Sequence, residues 1–254
     1  MIPFKKEMKE SVRSGKWIWL PIVLILIGIS QPLTSYYMPQ ILEMAGNLPE
    51  GAVIDIPMPS GAEVLMGTMS QYGTIGTLLF VLALMNVISQ ERQTGSLSFV
   101  MMRPVSATEY MASKYMAQLC ILLVSLAASY LLTWYYTNIL FDPVPWNLMV
   151  VSLVVYSLWI VFLIAVTLFV GTLLRNSGGI AGASMMFLAV MSLLTTLFPK
   201  YMEWNPANLR AEASIILLEG EWLRSTSLVA TSTLALSLLF FGLAVYAFKK
   251  FERF

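Results

Sequence analysis

Six long runs of apolar residues dominate the pattern of this chain. They extend from about Trp17 to Tyr37, Tyr72 to Ser89, Tyr115 to Asn138, Leu148 to Leu174, Gly178 to Phe198 and Ser227 to Phe248. No Lys, Arg, Asp or Glu lies inside them, and each is close to the ~20 residues that cross the hydrocarbon of a bilayer. Because backbone groups in lipid must be hydrogen-bonded internally, the runs predict six transmembrane helices and an all-α membrane protein.

Composition agrees with this pattern and narrows the possible functions. Hydrophobic residues make up 58% of the 254 residues and charged residues only 11%, whereas a soluble domain is about a quarter charged. We expect one membrane bundle, residues 1–254, as a single domain. The net charge of +1 argues against nucleic-acid binding. The absence of His removes the commonest metal ligand and proton shuttle, so we expect no catalytic and no metal-binding residues.

The distribution of basic residues predicts the orientation. Six spans place both termini on one side, together with segments 90–114 and 175–177. That side carries twelve of the fifteen Lys and Arg residues, and the other side carries Lys200, Arg210 and Arg224. Because basic residues are retained in the cytoplasm, we expect both termini to be cytoplasmic in a multi-pass protein of the cell membrane.

The segments outside the spans contain further local signals. In residues 1–16, Phe4, Met8 and Val12 recur every four residues beside a basic face. This spacing predicts an amphipathic helix in the membrane interface, and the alternative is a basic flank that stops transfer. Residues 38–71 contain four prolines, which argue for an irregular loop. In the outside loop 199–226, Asn205 and Pro206 predict a helix start, followed by a short helix that ends near Gly220. We expect this helix either to lie on or dip into the outer leaflet, or to be a surface helix with no further role.

Spans four and five are predicted to form an antiparallel hairpin, because only residues 175–177 separate them. Span five opens with two pairs of small residues four apart, which allow helices to approach closely in lipid. The pairs are Gly178 with Gly182 and Gly179 with Ala183. Packing within the chain is the favoured interpretation, and a subunit contact is the alternative.

The loop from Gln90 to Tyr115 is the most informative stretch. Glu91 and Arg92 end span two, and Gly95 breaks the helix. Ser96 then caps a short segment that contains Leu97 and Phe99 and ends at Arg103 and Pro104; Ser106 and Glu109 form a capping box that opens the next helix. A short apolar helix exposed to the cytoplasm needs a cover, and the groove of a soluble partner provides one.

This loop resembles that of the permeases of ABC type-2 exporters. The matching residues are Glu91-Arg92, Gly95-Ser96-Leu97, Arg103-Pro104-Val105-Ser106, Glu109 and Lys114. The layout of an interfacial helix, six spans and a short helix between spans five and six also matches. One departure is Ala112-Ser113 before Lys114, where many members have glycine; the long loop 38–71 is another.

The resemblance implies a membrane subunit that pairs with a second permease, either a copy of itself or a paralogue. It also implies a separate soluble ATPase, which carries the ATP and magnesium. The segment 90–104 would then be the coupling helix on that ATPase. The residues implicated in coupling are Glu91, Arg92, Gly95, Ser96, Leu97, Phe99, Arg103, Pro104 and Glu109. Export is the typical direction in this family, and an apolar bundle favours an amphiphile such as a lipid, peptide or antibiotic.

Independent features of the sequence favour an external energy source. The sequence has no Gly-x-x-x-x-Gly-Lys-Ser/Thr phosphate loop, and ion-driven carriers generally need ionisable groups at membrane depth. A secondary carrier or channel lined by Gln71, Asn86 and Asn138 remains an alternative. A membrane partner of an ATPase that does not itself transport is another, because the same loop would serve it. A membrane enzyme is disfavoured by the lack of His and of Lys within a span.

Overall fold

The protein is a bundle of long helices. The structure, a computed structural model, describes residues 2–45, 58–95, 106–220 and 224–251. The N-terminal helix is Ile2–Arg13, and the spans are Lys16–Ala45, Gly61–Gln93, Ala107–Leu140, Trp146–Leu173, Ser177–Leu197 and Arg224–Phe251. Two 3-10 turns, Pro199–Tyr201 and Pro206–Asn208, precede a short helix at Leu209–Glu219. No strand occurs in these described ranges, so the all-α prediction with six spans is confirmed.

Span four lies at the centre of the bundle. Its Tyr156, Trp159 and Phe162 are fully or almost fully buried, and it packs against span six and the 209–219 helix. In spans two and four, 61% of the most apolar stretch is buried, compared with 22% in spans one, five and six. Spans one, five and six therefore present most of their apolar surface to lipid or to a partner.

Spans one, two and three meet at Gly28. A Cβ atom there would lie 2.3 Å from both Thr133 Oγ1 and the Tyr72 hydroxyl oxygen, so only glycine fits. Next to it, the Ser129 hydroxyl donates to the Leu24 carbonyl at 2.6 Å and lies 2.5 Å from the Tyr72 hydroxyl. Small residues and hydroxyl contacts between spans are a common way to hold helices together in lipid.

Span two contains an irregular turn. Residues Tyr72–Gly76 form a π-helix, which widens the helix and displaces its carbonyl groups. The Thr77 hydroxyl donates to the Gly73 carbonyl at 2.8 Å, and Tyr72, Gly73 and Gly76 are buried. The turn therefore places a carbonyl group of span two inside the bundle.

The prediction of an irregular loop over residues 38–71 is wrong at both ends. Span one continues as helix to Ala45 with Pro32 and Pro39 inside it, because surrounding helices can compensate for the lost backbone bond in a membrane bundle. At the other end, a reciprocal capping box between Ser60 and Glu63 starts span two at Gly61. Residues 46–57 lie outside the described residues.

The predicted helix in loop 199–226 is present. The Asn205 side chain accepts from the Ala207 amide at 3.0 Å, and Gly220 ends the helix with a φ of +75°. Leu209, Ala213 and Ile216 are buried, and the helix packs against spans two and four. It is therefore an integral part of the bundle rather than a detached surface helix.

The hairpin of spans four and five is confirmed by their packing and by the Asn176 side chain, which caps span five. Packing within the chain, the favoured interpretation of the pairs of small residues in span five, is not confirmed. Gly182 and Ala183 are exposed, and a Cβ atom on Gly182 would meet no atom of the described residues within 4 Å. Gly178 and Gly179 approach only their own turn, at Asn176 and Leu174. No described helix covers this face, so contact with a second subunit stays a prediction.

Candidate coupling site

The ends of several helices meet near Gly95 and Ser106, the described residues on either side of 96–105. The N-terminal helix packs against span three there, and the last turns of span two pack against span four. The end of span six reaches the same place, because the Phe248 ring stacks on Tyr110 with their centroids 4.9 Å apart. We call this region the terminal end of the bundle.

A cluster of charged side chains lies inside the terminal end. The Lys114 Nζ is 2.9 Å from Glu7 Oε1 and 3.3 Å from Glu91 Oε1. The Lys6 Nζ is 2.6 Å from the same Glu91 oxygen, and the Tyr110 hydroxyl donates to Glu91 Oε2. These five residues, Lys6, Glu7, Glu91, Tyr110 and Lys114, form what we call the Glu91 cluster. It joins the N-terminal helix to spans two and three.

Most of the cluster is buried and its charges balance. Lys114 is 1% exposed, Glu91 3% and Glu7 6%, so these three ions have lost most of their hydration, while the Lys6 side chain remains 46% exposed. Two ammonium groups face two carboxylates, and the Lys114 ammonium also lies 5.0 Å from the centre of the Tyr110 ring. Buried ion pairs of this kind add little net stability, but removing one partner costs several kcal/mol because the other charge is left unpaired. The cluster therefore holds its three helices in one relative position.

The pKa values on the N-terminal helix reflect this environment. Burial raises the pKa of the Glu7 carboxyl, and the nearby Lys114 charge opposes that rise only in part. Burial lowers the pKa of Lys6, but its hydrogen bond to Glu91 and the charge of Glu91 together outweigh burial, so the pKa is raised overall.

Arg92 joins the end of span two to the end of span four. Its guanidinium donates to the carbonyls of Gly171 at 2.8 Å, Thr172 at 2.9 Å and Leu174 at 2.9 Å. The last carbonyls of a helix have no partner within the helix and carry partial negative charge, so a cation stabilises them. One turn earlier, Ser89 and Ser177 place their hydroxyls 2.8 Å apart and connect span two to span five.

The predicted coupling residues fall into two groups. Within the described residues, Gly95 ends span two with a φ of +70°, and the Ser106 side chain accepts from the Glu109 amide at 3.1 Å. The predicted helix break at Gly95 and the Ser106 half of the predicted capping box are therefore confirmed. Glu91, which was expected to end span two beside Arg92, is buried there, and its partners come from two other helices. Ser96, Leu97, Phe99, Arg103 and Pro104 lie outside the described residues, and their role stays a prediction.

Sequence reasoning missed most of the Glu91 cluster. Glu7 and Lys114 are 107 residues apart, and no local pattern connects them. The available signal was the spacing of Tyr110 and Lys114, which places both on the face of span three that buries Met111 and Gln118. Glu7, Glu10 and Glu91 bring carboxylate oxygens within 4.8 Å of one another. Lys6 and Lys114 already supply positive charge there, so the arrangement is that of an ion-pair network.

Comparison with known proteins adds an independent result. A family model described as "ABC-2 family transporter protein" matches residues 1–214. The uncharacterized transmembrane protein YxlG of Bacillus subtilis (strain 168) is 37% identical over 252 residues, which cover 99% of this chain and 98% of that protein. The similarity thus extends over both the terminal end and the 209–219 helix.

Proposed function

Since this chain belongs to the ABC-2 family of transporter membrane proteins, we propose that it is the permease subunit of an ATP-driven exporter. In this proposal a soluble ABC ATPase binds the 96–105 segment on the cytoplasmic side and carries the ATP and magnesium. A second permease, either a copy of this chain or a paralogue, completes the pathway. Both termini are then cytoplasmic, in agreement with the basic residues of that side.

The observation that carries the proposal is the way the 96–105 segment is attached. In the sequence, the segment begins directly after Gly95, a few residues beyond Arg92, and it ends directly before Ser106, the cap of span three. On one side, Arg92 fixes span two to span four; on the other, Lys114 fixes span three to Glu7 and Glu91. A displacement of the segment is therefore passed to spans two, three and four and to the N-terminal helix together.

The rest of the bundle is compatible with an amphiphilic substrate. Spans one, five and six expose long apolar surfaces, among them Leu26, Met186 and Leu238. An apolar chain can travel along such surfaces, whereas a small ion would need a polar pathway across the membrane. These features support export of a lipid, peptide or antibiotic-like amphiphile.

The test is affinity purification of the tagged full chain from native membranes in mild detergent, followed by mass spectrometry. The wild type should bring down a stoichiometric soluble ATPase. Leu97→Asp should abolish that association and leave membrane insertion intact, because a charge replaces the apolar contact in the ATPase groove. Ser96→Asp is the matched control, since it adds the same charge one residue earlier while Asp remains a good helix cap.

Two results would contradict the proposal. If the intact wild type is recovered without any ATPase, a carrier or channel becomes the better explanation. If Leu97→Asp retains the ATPase as well as Ser96→Asp does, the 96–105 segment is not the docking site. Transport by the reconstituted complex, assayed in vesicles with ATP, separates an exporter from a membrane partner that only transmits the ATPase signal.

A further inference from the structure

A pocket that is open on one side lies away from the terminal end, between spans two, four and five and the 209–219 helix. It has a volume of about 350 Å³. Its walls include the π-helical turn at Gly73, the Trp159 ring, Leu188, Ser192 and the side chain of Arg210. Thr74, Ala189 and Leu193 are exposed at its rim, so the space is open to the surroundings between spans two and five. We call it the Arg210 pocket.

Arg210 is held in one orientation by neutral groups. Its guanidinium donates to the Gly73 carbonyl at 2.8 Å and to the Ser192 hydroxyl at 2.6 Å, and its Nε donates to the Ala207 carbonyl at 3.4 Å. The guanidinium carbon lies 5.0 Å from the centre of the Trp159 ring. The Trp159 indole is fixed in turn by its bond to the Thr77 hydroxyl at 3.1 Å.

The positive charge of Arg210 is not balanced by an acid. Within the described part of the chain, none of its partners is a carboxylate. A guanidinium has five N–H groups, and these three hydrogen bonds leave two of them for another acceptor. A partly buried cation without a counter-ion attracts an anion strongly, because the low dielectric weakens screening.

The remaining walls indicate what kind of anion fits. Met185, Leu188 and Leu193 supply apolar side chains, and the rim opens toward the exposed apolar surface of span five. A volume of this size is at the lower end for small-molecule pockets, which suits a headgroup with the first part of its chain. A free hydrated anion would gain nothing from these apolar walls.

We propose that the Arg210 pocket binds the phosphate or carboxylate group of an anionic amphiphile, with its apolar chain leaving across the rim between spans two and five. If the exporter function proposed above holds, on which this role rests, that amphiphile is the transported substrate class. The arginine forms a charge-assisted bond to the anion, and the π-helical turn and Ser192 keep the guanidinium in place. Binding itself requires neither the ATPase nor ATP.

The test measures lipid binding by the purified full chain in neutral detergent, using native mass spectrometry. The probes are phosphatidylglycerol and phosphatidylcholine with identical acyl chains. The wild type should retain phosphatidylglycerol preferentially, and Arg210→Gln should reduce that preference about tenfold or more, the equivalent of one charge-assisted hydrogen bond. Arg210→Lys, which keeps the charge and loses the planar fork, should fall between them.

A second variant separates ligand binding from a merely structural role of Arg210. Ala189→Trp fills the pocket mouth from an exposed position and leaves the residues that contact Arg210 unchanged. It should lose the preference as Arg210→Gln does, with unchanged thermal stability. If both variants keep the wild-type preference, the proposal is overturned. If soluble glycerol 3-phosphate displaces phosphatidylglycerol at equal concentration, the pocket takes small anions and the amphiphile is the wrong ligand class.

The same samples distinguish this inference from the exporter proposal. Arg210→Gln should retain any ATPase that the wild type brings down, because the pocket lies away from the terminal end of the bundle, where Gly95 and Ser106 flank the proposed docking segment. A wild type that prefers phosphatidylglycerol but never associates with an ATPase would support the pocket and contradict the transporter complex. Association with an ATPase, without any preference for the anionic lipid, would support the transporter complex and contradict the proposed ligand of the pocket.

Discussion

The Glu91 cluster and the Arg210 pocket each place a basic side chain inside the bundle, but they surround it differently. Lys114 lies within 3.3 Å of two carboxylates, whereas Arg210 contacts two carbonyls, a hydroxyl and an aromatic ring. Lys114 is 1% exposed, while Arg210 lines a space that opens at its rim. The charge is neutralised at one site and left for a ligand at the other.

This difference indicates that buried charges have two different roles in one membrane bundle. A balanced cluster fixes the relative position of helices, since any separation leaves an unpaired ion in a low dielectric. An unbalanced cation is tolerated where neutral dipoles hold it, and it gains most when an anion arrives. The first property suits transmission from a cytoplasmic partner, and the second suits recognition of a substrate.

Lys114→Met should produce the largest loss of stability. It leaves Glu7 and Glu91 buried without their shared cation, which costs about 3–5 kcal/mol. The measurement is the Tm of the purified chain in neutral detergent. Lys9→Met is the control, because it removes an exposed lysine from the adjacent helix and should leave the Tm nearly unchanged.

A double variant checks the origin of that loss. Glu7→Gln combined with Lys114→Met removes one charge of each sign and should recover part of the stability, as expected for directly coupled residues. If the double variant is as unstable as the sum of the single variants, the loss comes from packing of the long lysine side chain, and the comparison of the two sites by charge balance fails.

Arg92→Ala should have the next largest effect. It removes three bonds to the last carbonyls of span four, and a hydrogen bond with a charged partner contributes roughly 1.5–3 kcal/mol. Because these bonds share one side chain, we expect a total loss of about 2–3 kcal/mol and faster amide hydrogen exchange at residues 170–178. Arg175→Ala, which removes an exposed arginine of the same turn, should change neither quantity.

Arg210→Gln should destabilise the empty protein less than either change at the terminal end. No buried carboxylate is left behind, and glutamine can still donate to one neutral acceptor, so we expect about 1 kcal/mol. The contrast appears on adding phosphatidylglycerol, which should raise the Tm of the wild type and not that of the variant. A loss as large as that of Lys114→Met would mean that Arg210 is mainly a structural residue.

Local features of this structure could be predicted from the sequence, and contacts between distant helices could not. The six spans, the Gly95 turn and the Ser106 and Asn205 caps depend on a few adjacent residues, so they were predictable. The Ser60–Glu63 capping box had the same kind of signal, but the prolines around it favoured a loop, and Pro39 is nevertheless helical in span one.

The two charged sites show why contacts between distant helices could not be predicted from the sequence. Glu7 and Lys114 are 107 residues apart, and Arg210 reaches Gly73 across 137 residues. In both cases the burial of the side chain results from the packing of three or more helices, which no window of sequence contains. The π-helical turn at Tyr72–Gly76, whose Gly73 carbonyl accepts from Arg210, was likewise not predicted from the sequence.

The smallest expected effect is a pH dependence at Glu7. Burial raises the pKa of its carboxyl above the ordinary value of 4.5, and Lys114 offsets this only partly. Relative to the unfolded chain, folding therefore shifts Glu7 toward its neutral form, so Glu7 contributes stability below pH 4.5 that is lost as the pH rises through the folded pKa. Glu7→Gln fixes the neutral form. The Tm of the wild type minus that of Glu7→Gln should consequently be higher at about pH 4 than at about pH 7. Glu203→Gln, at an exposed carboxylate just before Asn205, is the control. A difference that rises with pH instead would mean that the attraction of Glu7 to Lys114 outweighs the effect of its burial.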